Sequence, residues 1–278
     1  MNRATAAGCG AIALWSVLAL LTVSAARVPP LELTALGFAV SAAFGLVWLI
    51  ATGGMGVLRQ RPLAWLHGAG GLFGFHVLYF AALARAPTAE ANLIDYLWPL
   101  LIVLLSGAML GLRLRTGHLV GTVLALGGCG LMLGANASIS VRYLPGYGLA
   151  LLSALTWAFY SVLSRRFANV PTRALVGFCA AAAALAALAH LAVETTVVPD
   201  GATALVILVL GAGPMGGAFF LWDVGMKRGD PRLLGTLAYA TPVVSTVLLC
   251  AAGYAEFTVW TVAAALLVAA GGLMAARA

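Results

Sequence analysis

The chain has 278 residues, is 63% hydrophobic and only 8% charged, and has a mean hydropathy of +1.06, whereas an ordinary soluble domain carries about a quarter charged residues. Water cannot solvate such a surface, and the long unbroken apolar runs exclude the short alternating segments of a membrane β-barrel. The net charge of +7 does not point to nucleic acid, because the 15 Lys and Arg are strung singly or in pairs between apolar runs, with no basic face.

Crossing roughly 30 Å of hydrocarbon takes about 20 helical residues at about 1.5 Å each. The first such span is predicted near 6–26. It imitates a secretory signal, with Arg3, an apolar run from Ala11 to Val23 and small residues Ser24, Ala25 and Ala26. It is kept as a helix because an internal repeat gives it a partner. The second span lies near 31–52 and the third near 63–86, the latter with His76, Tyr79 and Phe80 on one face and the pair Gly70 and Gly74. The fourth, near 88–110, carries Asn92, Asp95, Tyr96 and Pro99 at i, i+3, i+4 and i+7, a single stripe with Trp98 beside it. The fifth, near 116–134, holds Gly130 and Gly134. The sixth, near 146–167, puts Trp157 and Tyr160 on one face, and the seventh lies near 172–193. The eighth, near 202–226, contains Gly213 and Gly217, with Asp223 four residues before Lys227, the spacing of an interfacial i, i+4 ion pair. The ninth, near 231–253, contains Tyr239 and Pro242, and the tenth lies near 257–276. The connections are too short for a soluble domain.

Cytoplasmic loops are enriched in Lys and Arg. With the N-terminus inside, Arg3, Arg59, Arg61, Arg113, Arg115, Arg165, Arg166, Arg173, Lys227, Arg228, Arg232 and Arg277 fall inside, against Arg27, Arg85 and Arg142 outside, 12 to 3 of the 15. An even number of spans places the C-terminus inside as well. The two halves echo each other at an offset of 143. Gly70 and Gly74 fall on Gly213 and Gly217, Tyr79 on Trp222, Arg85 on Arg228, Tyr96 on Tyr239, Pro99 on Pro242 and Gly128 on Gly271, while Trp15 matches Trp157 at 142. Because five is odd, the second half, 139–278, must enter the membrane with opposite polarity to the first, 1–138. The fold class expected is therefore an all-α integral membrane protein of ten transmembrane helices, two inverted five-helix repeats around a central cavity, the architecture of a secondary transporter.

The Gly pairs let backbones approach closely. On that basis the third and eighth helices should cross near the pseudo-axis or pack against equivalent neighbours. A proline near the middle of a helix removes a hydrogen bond and tends to kink it. Pro99 and Pro242 would thus free the carbonyls of Asp95 and Ala238, as hinges or as mere shapers of packing. Asp95 is a functional candidate because carboxylates are costly in hydrocarbon, although interfacial water or a pairing with Arg85 would also explain it. Trp157 and Tyr79 lie deep in their spans, while Trp48, Trp65 and Trp260 lie nearer ends and read as interfacial belt. His76 can titrate near neutral pH, but a hydrogen-bonded core histidine is more frequent. His67, His118 and His190 receive no role. Cys9, Cys129, Cys179 and Cys250 sit in apolar runs without CxxC spacing and read as packing residues. The sequence carries no nucleophile–base pair, HExxH, Walker loop or GxGxxG after a strand, so no catalytic residue, metal site or cofactor is expected.

The two-repeat pattern, the stripe Asn92-Leu-Ile-Asp95-Tyr96-Leu-Trp98-Pro99 and its echo Tyr239-Ala-Thr-Pro242 resemble the drug/metabolite transporter superfamily, in the branch with two EamA-type repeats. Within that branch the chain is most similar to the YddG aromatic amino-acid exporters. The resemblance implies a cavity lined by the first, third, fourth, sixth, eighth and ninth helices, with the fifth and tenth as scaffold, in a bacterial inner membrane. The expected function is export of amino acids, aromatic ones included, from the cytoplasm by alternating access, with a small-molecule substrate, the lipid bilayer as surroundings, no nucleic acid, and a monomeric chain. Trp98, Trp157, Tyr79 and Tyr96 would pack the side chain, Asn92, His76 and exposed carbonyls near the prolines would hold the polar head, Asp95 is a candidate for the substrate ammonium or for proton coupling, and Tyr239 completes the candidate substrate-binding set. An exporter of drugs or quaternary cations, or a membrane protein that binds without translocating, are the rival readings.

Overall fold

The computed structural model describes residues 2–133 and 140–278. Among these residues the regular structure is entirely helical: α1 (Arg3–Ser24), α2 (Pro30–Ala51), α3 (Pro62–Leu83), α4 (Thr88–Leu110), α5 (Thr116–Leu133), α6 (Val141–Phe167), α7 (Thr172–Val193), α8 (Gly201–Arg228), α9 (Pro231–Ala251) and α10 (Val259–Ala276). All but α5, nine described helices, are long and apolar enough to cross a membrane, and α5 has a shorter apolar stretch over Thr116–Leu131. Large apolar side chains such as Leu66, Leu188, Leu191 and Leu266 stand exposed on their outer faces, which only a lipid solvent tolerates in such number. Gly134, and with it the Gly130–Gly134 pair and the boundary at 138, lies outside the described residues.

Local chemistry sets the ends. Asn2, Asp200 and Thr258 accept from the backbone N–H three residues on and so cap α1, α8 and α10. Pro30, Pro62 and Pro231 stand in first turns, where a missing N–H costs nothing. α4 stops at Gly111, whose φ of +66° an L side chain rarely adopts.

Four spans are broken inside. α1 relaxes at Val17. α4 breaks after Asp95 and resumes at Trp98, because Pro99 cannot donate into the turn behind it; the Leu97 N–H tightens onto the Ile94 carbonyl at 3.1 Å instead. α9 breaks after Leu237 and resumes at Ala240. There the expected free carbonyl is corrected: Ala238 O accepts the Thr241 N–H at 3.0 Å, since the chain tightens into a shorter turn around Pro242. In α8 a π-helical turn spans Gly213–Gly217 and absorbs Pro214, a feature the sequence reading missed.

The helices pair α1 with α8, α3 with α6, α2 with α7, α4 with α9 and α5 with α10. The α5–α10 seam is backbone on backbone. A side chain at Gly121 would run into the Gly271 carbonyl, and one at Gly128 would come within 2.9 Å of the Ala264 carbonyl. Of the expected Gly pairs, Gly74 faces Thr156 of α6 and Gly217 faces Leu14 of α1. Closer approaches fall elsewhere on these helices: Gly68 and Gly71 of α3 lie under the rings of Phe178 and Tyr160, and Gly211 and Gly216 of α8 lie against Val40 and Ser41 of α2.

One end of the bundle is basic and laced across elements. Asn2 donates to the Arg228 carbonyl, Arg165 to Gly229 O, Arg166 to Met109 O and Arg232 to Arg113 O, and Arg115 reaches the carbonyl of Ala278. At the opposite end, Glu194 accepts the Leu31 and Glu32 N–H groups and so caps α2, while His190 bonds Glu194 at 2.9 Å. His190, given no role from sequence, is thus a structural clasp between α7 and α2. The Asp223–Lys227 pair forms as expected, at 2.8 Å, with both side chains buried within the bundle.

Candidate functional site

Where the helices converge, rings from five of them form one wall. Trp98 of α4 meets Trp157 of α6 edge-on at 6.3 Å and Trp222 of α8 at 6.0 Å. Trp15 of α1 closes on Trp157 and Trp222 at 5.6 and 5.1 Å. Phe75 of α3 joins Trp157 at 5.3 Å and stacks on Tyr79 at 5.9 Å. Such tilted and edge-to-face pairs suit the ring quadrupoles. Two of the four indoles are anchored through their donors: Trp15 Nε1 donates to the Pro214 carbonyl and Trp222 Nε1 to Ser161 Oγ, each at 3.0 Å. The π turn of α8 is what brings Pro214 O to Trp15, so a backbone irregularity positions a ring.

Polar groups gather at one side of this wall. The Tyr79 hydroxyl donates to Asn92 Oδ1 at 2.6 Å, tying α3 to α4. Asp95, only 5% exposed, accepts the hydroxyl of Ser153 on α6. Arg85 does not pair with it; its guanidinium donates back to the Ala81 carbonyl of its own helix. His76 Nδ1 donates to the Leu72 carbonyl at 2.8 Å, which fixes the protonated nitrogen and leaves the ring edge-on to Phe38 and Phe75. Its geometry is that of a hydrogen-bonded histidine in an aromatic nest.

Of the residues singled out from sequence, Trp98, Trp157, Tyr79, His76, Asn92 and Asp95 come together here. Tyr96 and Tyr239 do not join the wall. Tyr239 is fully buried with Ala125, Cys129, Val243 and Ala264, and Tyr96 packs against the same cluster. The Tyr239 hydroxyl accepts the Leu100 N–H at 3.2 Å, just past Pro99, and a side chain at Gly235 would lie 2.8 Å from the Pro99 carbonyl. The two broken helices therefore cross at their breaks. Sequence reasoning missed Ser153, Ser161, Phe38, Phe75 and Phe219. A serine on an apolar span gives no sign of which distant carboxylate it will meet.

Exposure grades along the bundle. Trp157 and Trp222 are 3% and 1% exposed, whereas Tyr79, Phe80 and Asn92, nearer the end away from the arginine lacing, are half-buried. Beside Phe80 a pocket of about 270 Å³ opens between the end of α1 and the start of α2, with Arg27 at its lip. The wall is thus most buried around Trp157 and Trp222 and more exposed toward Tyr79 and Phe80.

The profile of the EamA-like transporter family matches residues 3–134 and again 144–277. The chain is 52% identical over 258 residues to the aromatic amino acid exporter YddG of Ancylobacter novellus, covering 91% of this chain and 90% of that one. It is 27% identical over 289 residues to the YddG exporter of Escherichia coli, covering 98% and 96%. A probable terminal-alkyne amino-acid exporter of Streptantibioticus cattleyicolor is 25% identical over 207 residues, covering 72% and 69%. One solved crystal structure, 50% identical, superposes with a TM-score of 0.95 over 99% of this chain and 96% of the other. The apolar helices, the paired matches along the chain and the shared fold together place this protein in the EamA-like transporter family, as a multi-pass membrane transporter and not an enzyme.

Proposed function

We propose that the protein exports amino acids, aromatic ones included, from the bacterial cytoplasm across the inner membrane by alternating access. The observation that carries the substrate class is the ring wall of Trp98, Trp157 and Phe75 ending in the Tyr79–Asn92 pair and the Asp95 carboxylate. An aromatic side chain stacks on the rings, and the zwitterionic head meets the amide, the acid and the backbone of the broken α4 turn. Tyr96, Tyr239, Pro99 and Pro242 act as the hinge in this scheme, where α4 and α9 cross. The exporter names of the relatives agree with it.

The scheme needs ten spans in two inverted units, 1–138 and 139–278, with both termini cytoplasmic and each chain acting as a monomer. The pairing of helices supports the inversion. The α1–α8 contact has its counterpart in α6–α3, and α2–α7, α4–α9 and α5–α10 are each their own counterpart. Even single contacts repeat: Gly217 on Leu14 answers Gly74 on Thr156. Any two-fold axis that relates the halves produces this pattern, and an odd number of spans in each half puts that axis in the membrane plane.

Uptake of labelled phenylalanine into proteoliposomes, with and without a pH gradient and with organic cations as competitors, tests the proposal. Saturable phenylalanine flux is expected. Flux of quaternary cations with none of amino acids would replace it with a cation exporter, and binding without flux would end the transport reading. Cysteines at Arg142 and Arg228, both exposed, should label from opposite faces; labelling from one face would end the inversion.

A further inference from the structure

At the basic end, α3, α6, α7 and α8 converge on a narrow pocket of about 10 Å³ lined by His67, Tyr160, Phe167, Val170, Asp223 and Lys227, room for a single water at most. Two opposite charges are buried against it, with the Lys227 and Asp223 side chains 6% and 5% exposed. Each reaches a different point on the connection between α6 and α7. Lys227 Nζ donates to the Val170 carbonyl at 2.9 Å, and the Thr172 hydroxyl donates to Asp223 at 2.6 Å. α3 closes over the top: His67 bonds Ser164 Oγ at 3.2 Å and stacks on Phe167 and Tyr160 at 4.4 and 5.0 Å.

The position of this cluster gives it meaning. Tyr160 touches both the pocket and Trp157 of the ring wall, at 5.1 Å, and Asp223 follows Trp222 directly in α8. The cluster therefore lies between the wall and the basic face, on the side where the rings are most buried. A buried ion pair is a poor device for simple stability, because apolar residues of similar volume hold as well without desolvating two charges. It is a good device for two states. With α8 drawn away, the pair stays together on that helix and exchanges the Val170 carbonyl and the Thr172 hydroxyl for water, so the open form is not penalised; with α8 docked, those two fixed partners satisfy it.

We propose that Asp223 and Lys227 are positioning residues for transport: paired on α8, they latch that helix to the α6–α7 connection through the Val170 carbonyl and the Thr172 hydroxyl and shut the passage between the ring wall and the basic face, and these two cross-element bonds part when substrate enters. This rests on the transporter reading above but not on the identity of the substrate.

The test uses the full chain with its four cysteines replaced by alanine and one cysteine placed at Ala64, which lines the same pocket and is 3% exposed. A membrane-impermeant maleimide is applied from the side of the basic end. Lys227→Met leaves an uncompensated buried carboxylate and Asp223→Asn an uncompensated ammonium. Each should raise the labelling rate on the order of tenfold by shifting the population to the open form. The double variant Asp223→Leu with Lys227→Met, which has no charge to hydrate on opening, should label as slowly as the parent while flux falls. Lys227→Arg should retain most of both parent behaviours. Unchanged labelling in both single variants overturns the latch, whether or not flux is lost, and so does fast labelling in the apolar double variant. Labelling is read without any substrate, so failure of the amino-acid reading and failure of the latch are separate results.

Discussion

Trp98→Leu separates a substrate wall from a merely packed core. Trp98 is 7% exposed and meets two other indoles edge-on, at 6.3 and 6.0 Å. Each such pair is worth about 0.5–1.5 kcal/mol beyond area burial, so the variant forfeits roughly 1–3 kcal/mol of tertiary packing. Leucine fills part of the volume and keeps the site apolar, which holds the loss below that of a full truncation. The bound substrate loses one ring contact, about 0.5–1.5 kcal/mol, a roughly 2- to 13-fold weakening. That second loss applies only to substrates with a ring. In proteoliposomes, half-saturation for phenylalanine should rise by that factor relative to the parent, while an aliphatic amino acid carried by the same protein should shift less than about twofold. Thermal unfolding of the purified protein reports the packing loss separately. If phenylalanine and the aliphatic substrate weaken equally, Trp98 shapes the bundle and does not face the ring, and the substrate class loses its main support.

Three further outcomes follow from the geometry. Ser153→Ala removes the hydroxyl that donates to Asp95, and a hydrogen bond is worth about 0.5–1.5 kcal/mol net, up to about 3 kcal/mol where the acceptor is charged. Lowered thermal stability is expected, with the loss much reduced in an Asp95→Asn background; equal losses in both backgrounds would show that the two residues do not interact. Gly235→Ala puts a methyl group within 2.8 Å of the Pro99 carbonyl and 2.9 Å of Val103, overpacking that costs about 1–3 kcal/mol. Because it wedges the two breaks apart, flux should fall more than thermal stability does, and parent-like flux would disprove the hinge. Asp230 lies between α8 and α9. Partial burial pushes its carboxyl up but is outweighed by the Arg232 guanidinium and by the Arg232 and Leu233 N–H groups, which hold it below the usual carboxylate range. A depressed folded-state value contributes stability above the unfolded value near about 3.9 and loses it as pH falls through the folded value. Thermal stability should therefore decline below about pH 4, and Arg232→Gln should flatten part of that decline.

The positions of the spans were legible because hydrocarbon thickness and helical rise leave little freedom. All ten helices lie within a few residues of the apolar runs that announced them. The break in α4 was legible too, since Pro99 removes a donor wherever the fold puts it. Half of the candidate site could be read as well, because Asn92 and Asp95 share a helical stripe and Trp98 stands beside it.

Tertiary structure decided what each stripe touches. Asp95 meets Ser153 across 58 residues of sequence, and Trp15 meets Pro214 across 199; no local period encodes either distance. Tyr96 and Tyr239 look like wall residues on a helical wheel, yet the crossing of α4 and α9 turns them into the α5–α10 seam. Asp223 and Lys227 have the spacing of a surface pair, and only the fold of the α6–α7 connection over them makes that pair buried. Sequence fixes which groups lie on one helix face because the backbone period is local, while the partner of a face depends on how ten rods pack, which is set by the sum of all their contacts.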